Sequence, residues 1–254
     1  MAHSTTDEAP VLYRLLRAAL APLVTLLFRP RLVGLEHVPG SGPAILCANH
    51  VSLLDPVVVA VAVPRPVFYL GKSEYFGRRW GWFFASLGVL PVVRRGGAAG
   101  ESSLERGRAV LEVGRLLGIY PEGTRSPDGR LYRGKTGAAR LAIRTGAPVV
   151  PIGVIGSREA WPPGASLPRP GPVAVRFGPP LDFSHLRGRD NDREALRGAT
   201  DALMAAIAAL SGQTYADVYA MQARAAQSAA DPLPHLDGLH PDDDSLSLDE
   251  RRSA

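Results

Sequence analysis

Cysteine occurs once and lysine twice in 254 residues, and each scarcity narrows what the chain can be. A lone Cys47 cannot form an internal disulfide, which favours a reducing compartment. It lies in the apolar run Ile45-Leu46-Cys47-Ala48 and reads as a buried strand position. Strand residues alternate faces and an activated thiol needs an electropositive, accessible setting, so a Cys47–His50 nucleophile is disfavoured. With only Lys72 and Lys135, nearly all the basic charge is arginine. There is no zinc-finger spacing, no RNP-like aromatic motif and no basic helix with base-reading residues, which argues against a nucleic-acid partner. The serine-hydrolase signature G-x-S-x-G is missing too, and Ser126 and Ser157 lie in contexts without that strained turn. His50, Asp55 and Glu122 match no strong metal-ligand spacing, so no metal is expected. No internal repeat is present.

What remains is an ordinary globular composition, 46% apolar and 21% charged, long enough for one substantial core. The formal charge of +5 hides an asymmetry. From Asp231 onward the tail carries seven acidic residues against Arg251 and Arg252. Without it, 27 basic and 17 acidic residues leave the body at +10, a surface suited to anionic partners such as a phosphorylated substrate or anionic lipid. Three regions are therefore expected: an amphipathic helix within 1–30, a domain over 31–226 and an acidic disordered tail over 227–254.

No uninterrupted apolar run is long enough to span a bilayer. Residues 11–28 would make a helix roughly 27 Å long against a hydrocarbon core of about 30 Å, but Arg14 and Arg17 interrupt them. Arg14, Arg17, Ala21 and Thr25 share one side of a helical wheel, opposite Leu12, Leu16, Leu23, Leu26 and Leu27. That pattern fits a helix lying in a membrane interface, with Arg29 and Arg31 drawn to anionic headgroups. It fits equally a helix docked on the protein's own core. A secretory signal is disfavoured, because the start of the chain is not basic and no small-residue cleavage site follows.

Further along, short apolar runs alternate with helical patterns, the signature of an α/β domain. Strands are expected over 31–35, 44–48, 67–70, 89–93, 117–120, 149–155 and 173–177. Helices are expected over 56–63, 77–87, 102–116, 136–145 and 192–210. Ser102 with Glu105 reads as a capping box, Asp55-Pro56 as N-cap and first helical residue, and Gly146 as a helix stop. Pro151 predicts a bulge or an edge in its strand.

Four segments place polar residues at strand ends, where α/β sheets collect their sites. Asn49-His50-x4-Asp55-Pro56 supplies a histidine, the side chain best suited to take a proton near neutral pH, and a carboxylate that could fix its tautomer. On spacing alone, a structural histidine beside a capping aspartate fits better. With no nucleophile elsewhere, a hydroxyl activated by His50 would belong to a substrate. Tyr120-Pro121-Glu122-Gly123-Thr124-Arg125-Ser126 offers a turn and a planar guanidinium suited to phosphate or carboxylate, or else an internal Glu122–Arg125 ion pair. Pro91-Val92-Val93-Arg94 delivers an arginine into a glycine-rich loop, and Val150-Pro151-Ile152 is almost wholly apolar.

In this order, over about residues 31–180, the four segments resemble the glycerolipid acyltransferase family that includes the 1-acyl-glycerol-3-phosphate (lysophosphatidate) acyltransferases. Tyr120 stands where phenylalanine is usual, and Val93 where an aspartate often precedes the motif arginine. The resemblance implies a single mixed sheet flanked by helices, with the amino-terminal helix as anchor on the cytoplasmic face of the cell membrane, peripheral or monotopic. It implies His50 as general base and Asp55 as its orienting carboxylate. Glu122, Gly123, Thr124 and Arg125, with Arg94 and Lys135, would hold the glycerol phosphate. The acyl donor would be acyl-CoA or acyl carrier protein, with no cofactor, and the acceptor a lysophospholipid on a membrane surface with anionic lipid. Glycerol 3-phosphate or another lysolipid as acceptor, or a non-catalytic lipid-binding role, are the alternatives.

Overall fold

The computed structural model describes residues 11–72, 89–92 and 97–230. Its centre is β2 (Ala44–Ala48), whose five residues are all buried. Ala44, Leu46 and Ala48 pack on one side of the sheet, Ile45 and Cys47 on the other. A strand covered on both faces must be apolar throughout, which is why this run does not alternate. The same holds for β7 (Val149–Ile155), its neighbour, and β5 (Leu116–Ile119) flanks the other side.

With β1 (Arg31–Val33), β3 (Val67–Lys72), β4 (Val89–Val92) and β8 (Ala174–Phe177), the sheet has the order β1-β8-β7-β2-β5-β3-β4. All described pairings are parallel except β7 with β8, so the sheet is mixed, as expected. Helices α1 (Val11–Phe28) and α2 (Leu54–Ala62) cover one face. The other carries α3 (Gly97–Glu112), α4 (Gly137–Thr145) and α6 (Arg193–Ser211). A one-turn helix, α5 (Ser157–Ala160), follows β7, and α7 (Ala220–Ala230) closes the described chain.

The sequence boundaries shift in instructive ways. Ser102 and Glu105 do not form a capping box: α3 already starts at Gly97, and the Glu105 carboxylate goes to Arg108 at 3.1 Å instead of reaching back. That helix also stops earlier than expected, at Glu112, and Gly114 turns the chain away at a φ of 74° that suits glycine. Asp55 is not the N-cap of α2 but lies in its first turn, behind Leu53 and Leu54. Pro151 is not at an edge. Ile152 faces Phe177 and Val149 faces Leu181, so three steps on β7 oppose four on its partner, a bulge that leaves the proline without a ladder bond to lose. Asp192 caps α6 with bonds to the Glu194 and Ala195 N–H groups, and Gly146 ends α4 at φ 71°.

Two short strands, β6 (Leu131–Tyr132) and β9 (Tyr215–Ala216), form a separate ladder that sequence patterning did not suggest. Helix α7 continues to Ala230, so a tail beginning at 227 cuts into it. The acidic stretch from Asp231 onward, the expected helix over 77–87 and Arg94 lie outside the described residues.

Helix α1 docks on the protein's own core along one side. Tyr13, Val24 and Phe28 are buried against the domain. Arg17 also turns inward, donating to Val61 O at 3.1 Å and Pro64 O at 3.2 Å at the carboxyl end of α2, where a cation is favoured. Val11, Leu12, Leu15, Leu23 and Leu26 are exposed on its outward side, Leu26 by 73%, together with Arg14 and Thr25.

Candidate active site

Parallel strands β7, β2 and β5 end side by side, and the segments leaving their carboxyl ends build the site. Asn49, next after β2, is fully buried and extends the pairing with its side chain. Its Nδ2 donates to Val154 O at 2.9 Å and its Oδ1 accepts from Val154 N at 2.7 Å. This anchors the chain where His50 must turn out of the sheet.

His50 Nδ1 lies 2.9 Å from Asp55 Oδ2. An ionised carboxylate only accepts, so Nδ1 carries the proton and the Nε2 lone pair is left for chemistry. Nε2 has no hydrogen bond to a described residue, and the His50 side chain is 17% exposed while that of Asp55 is 0%. Asp55 does bond backbone N–H groups, but upstream ones: Val51 N and Ser52 N both reach Oδ2 at 2.8 Å. One oxygen thus fixes both the imidazole and the loop that carries it. The Tyr120 ring stacks on the imidazole, with centroids 4.0 Å apart and planes at 19°. The Tyr120 hydroxyl is buried next to that of Tyr69, and it is the ring that meets the imidazole.

The expectation for Glu122 changes. Its side chain does not face an anionic headgroup and does not pair with Arg125. Oε1 accepts from His50 N and Oε2 from Tyr132 N, each at 2.9 Å, and the residue is 1% exposed. Burial pushes the carboxyl up to about 7, against the pull of those two N–H bonds, with the Asp55 and Asp128 charges adding to the rise. Ser126 N donates to His50 O at 2.7 Å, so both backbone polar groups of His50 are held by the loop after β5. With Glu122 committed in this way, a metal centre of His50, Asp55 and Glu122 does not assemble. Among the described residues no three His, Cys, Asp or Glu side chains converge.

Gly123 has a φ of 74°, and a Cβ there would lie 2.9 Å from Lys135 Nζ. Glycine therefore lets the lysine lie over the turn, and Lys135 N donates to Pro121 O at 2.8 Å. Thr124 and Arg125 are half-buried in the same loop. Arg125 has no carboxylate partner among the described residues. Nor does Arg224 of α7, held below the usual arginine range by partial burial and then by the Arg125 charge. Arg224 was not legible in the sequence, because α7 reaches this loop through tertiary contacts such as the two-residue β6–β9 ladder and the packing of Ala220 and Ala223 on Tyr132. Cys47 is buried as expected, and burial pushes its thiol far up, away from any nucleophilic role.

The arrangement is a partly exposed histidine, held at Nδ1 by a buried carboxylate, next to a loop of cationic side chains. A family model described as Acyltransferase matches residues 29–155. The chloroplastic 1-acyl-sn-glycerol-3-phosphate acyltransferase of Arabidopsis thaliana is 34% identical over 140 residues, 54% of this chain and 39% of its own length. The Brassica napus relative of the same description is matched over 40% of its length, so the chain corresponds to well under two thirds of these plant proteins. The 1-acyl-sn-glycerol-3-phosphate acyltransferase of Bacillus subtilis (strain 168) is 29% identical over 198 residues, 76% of this chain and 93% of that protein. In three dimensions the chain is similar to the 1-acyl-sn-glycerophosphate acyltransferase PlsC of Thermotoga maritima, at a TM-score of 0.56 and 24% identity, covering 78% of this chain and 82% of that one; this likeness speaks to the fold.

Proposed function

The chain belongs to the acyltransferase family whose model spans half of it, and from that premise we propose that it moves a fatty acyl group from a thioester donor to the free hydroxyl of 1-acyl-glycerol 3-phosphate, making phosphatidic acid. The observation that carries this reading is the His50 ring, held through Nδ1 by a buried carboxylate with Nε2 left open, beside Arg125 and Lys135.

Nε2 takes the proton of the acceptor hydroxyl as its oxygen attacks the thioester carbonyl. The new C–O bond gives a tetrahedral oxyanion. Its collapse breaks the C–S bond, and the thiolate leaves with the proton held by His50. Asp55 keeps the ring oriented and stabilises the transient imidazolium. No enzyme-bound acyl group forms, which suits a site whose one cysteine is sealed in the core. Arg125, with Lys135 and Arg224, would hold the acceptor's phosphate, and Arg94 is proposed to join them. Acyl-CoA and acyl carrier protein are both chemically competent donors.

Purified protein given lysophosphatidate and acyl-CoA is expected to release free thiol, followed with a thiol-reactive chromophore, and phosphatidic acid in equal amount. Turnover with glycerol 3-phosphate in place of lysophosphatidate would move the assignment to that acceptor. Saturable binding of both substrates without thiol release would overturn the enzymatic reading in favour of a lipid-binding protein.

The exposed face of α1 supports a peripheral membrane role. Leucines at 15, 23 and 26 point away from the domain, and an interfacial helix gains from burying such a face among acyl chains. Removing the helix would strip Tyr13, Val24 and Phe28 from the core, so substitution of its outer face is the cleaner probe. The triple variant Leu15→Glu, Leu23→Glu, Leu26→Glu should keep its melting temperature and stop floating with phosphatidylglycerol-containing vesicles. Flotation equal to the unaltered protein would refute the membrane role of α1.

A further inference from the structure

We propose that Ser157 is a positioning residue of the acyl-transfer site, anchoring the Asp55 carboxylate from the side opposite His50; this rests on the acyltransferase reading above. The two oxygens of Asp55 are unequally served. Oδ2 accepts from His50 Nδ1, Val51 N and Ser52 N. Oδ1 accepts from Ser157 Oγ at 2.5 Å, a short charge-assisted bond across 102 residues of sequence.

Both residues are fully buried, so no water stands in for the hydroxyl. A carboxylate held at one oxygen can still turn about its Cβ–Cγ bond, a soft and roughly two-fold torsion. Held at both, its plane is fixed, and with it the direction from which Oδ2 receives the imidazole N–H. The Ser157 proton is committed to Asp55, and the Oγ lies out of reach of solvent, which separates this role from that of a nucleophile.

The backbone delivers the hydroxyl by necessity. Gly156 leaves β7 at φ 81°, where a Cβ would lie 2.3 Å from Pro172 O, so only glycine makes this corner. The corner starts α5 with Ser157 facing α2. The same single turn ties down both loops of the site. Arg158 donates to Ser126 O at 3.3 Å and Pro127 O at 2.8 Å, and Trp161 O accepts from Ser52 Oγ at 2.8 Å. Ser157 and Arg158 thus brace the histidine loop and the arginine loop from one short element.

The test compares the unaltered protein, Ser157→Ala, Ser157→Thr, Asp55→Asn and the double variant Asp55→Asn with Ser157→Ala. Ser157→Ala should lower kcat about 10- to 100-fold, as expected for loss of a charge-assisted bond to a buried group, with KM for lysophosphatidate unchanged within about two-fold. Ser157→Thr keeps the hydroxyl and should recover most of the rate. In the Asp55→Asn background the alanine should change the rate by less than about three-fold, because the serine acts through that carboxylate. In ¹⁵N-histidine spectra, the Nδ1–H form of His50 should dominate in the unaltered protein and become mixed with Nε2–H in Ser157→Ala. An unaltered kcat in Ser157→Ala, or an equal loss in both backgrounds, would overturn the proposal. If the unaltered protein transfers no acyl group, the functional reading fails, and the tautomer spectra alone then decide the role of Ser157.

Discussion

His50→Ala should lower the rate of thiol release by about 10²–10⁴-fold, the range a general base contributes, while the protein stays folded. The imidazole is partly exposed, and the His50 backbone keeps its bonds to Glu122 and Ser126 when the ring is lost, so truncation removes the base without unseating the loop. Asp55 keeps its two backbone donors and Ser157 in the variant, so its charge is not abandoned. The loss should therefore appear in kcat, with lysophosphatidate binding at the arginine loop little changed. Initial rates for both proteins, with thermal melts as the control for folding, decide the matter. A rate within three-fold of the unaltered enzyme would remove His50 from the chemistry.

Glu122→Gln should destabilise the domain and change how stability depends on pH. The buried carboxyl titrates near 7 in the fold against 4.5 as an unperturbed group, so between those values the folded state binds more proton than the unfolded. Stability from this group is complete below about pH 4.5 and is lost as pH rises through 7. The difference of 2.5 pH units corresponds to something on the order of 3 kcal/mol. Glutamine cannot titrate, and its amide would aim a donor at either His50 N or Tyr132 N, leaving one buried N–H unpaired at a cost of about 1–3 kcal/mol. Urea unfolding of both proteins from pH 5 to 8 should show the unaltered protein gaining on the variant as pH falls. A pH-independent difference would contradict the raised carboxyl. Activity should fall as well, because the same carboxylate positions the His50 peptide.

Much of this was legible in the sequence, for local reasons. Runs of apolar residues bounded by glycine and proline marked β2 and β7 to the residue, and the pairing of His50 with Asp55 needs only a short turn. The orientation of Glu122 was not legible. A carboxylate beside an arginine suggests an ion pair, whereas its true partners are the backbone N–H groups of His50 and Tyr132, one of them 72 residues away. Ser157 lacks the sequence context of a nucleophile, yet it follows β7 as His50 follows β2. The strand-end rule that picked out His50 applies equally to it. What sequence could not supply was the adjacency of β7 to β2, a matter of strand order, not of pattern. The capping-box reading failed because Gly97 to Ser102 can continue a helix as readily as precede one.

The peptide of His50 is gripped at its N–H by Glu122 and at its carbonyl by Ser126, on either side of Arg125. Whatever draws on that guanidinium draws on the base as well. On the proposed roles of Arg125 and His50, headgroup recognition and proton abstraction would share one mechanical coordinate, and an acceptor without a phosphate would forfeit speed as well as affinity.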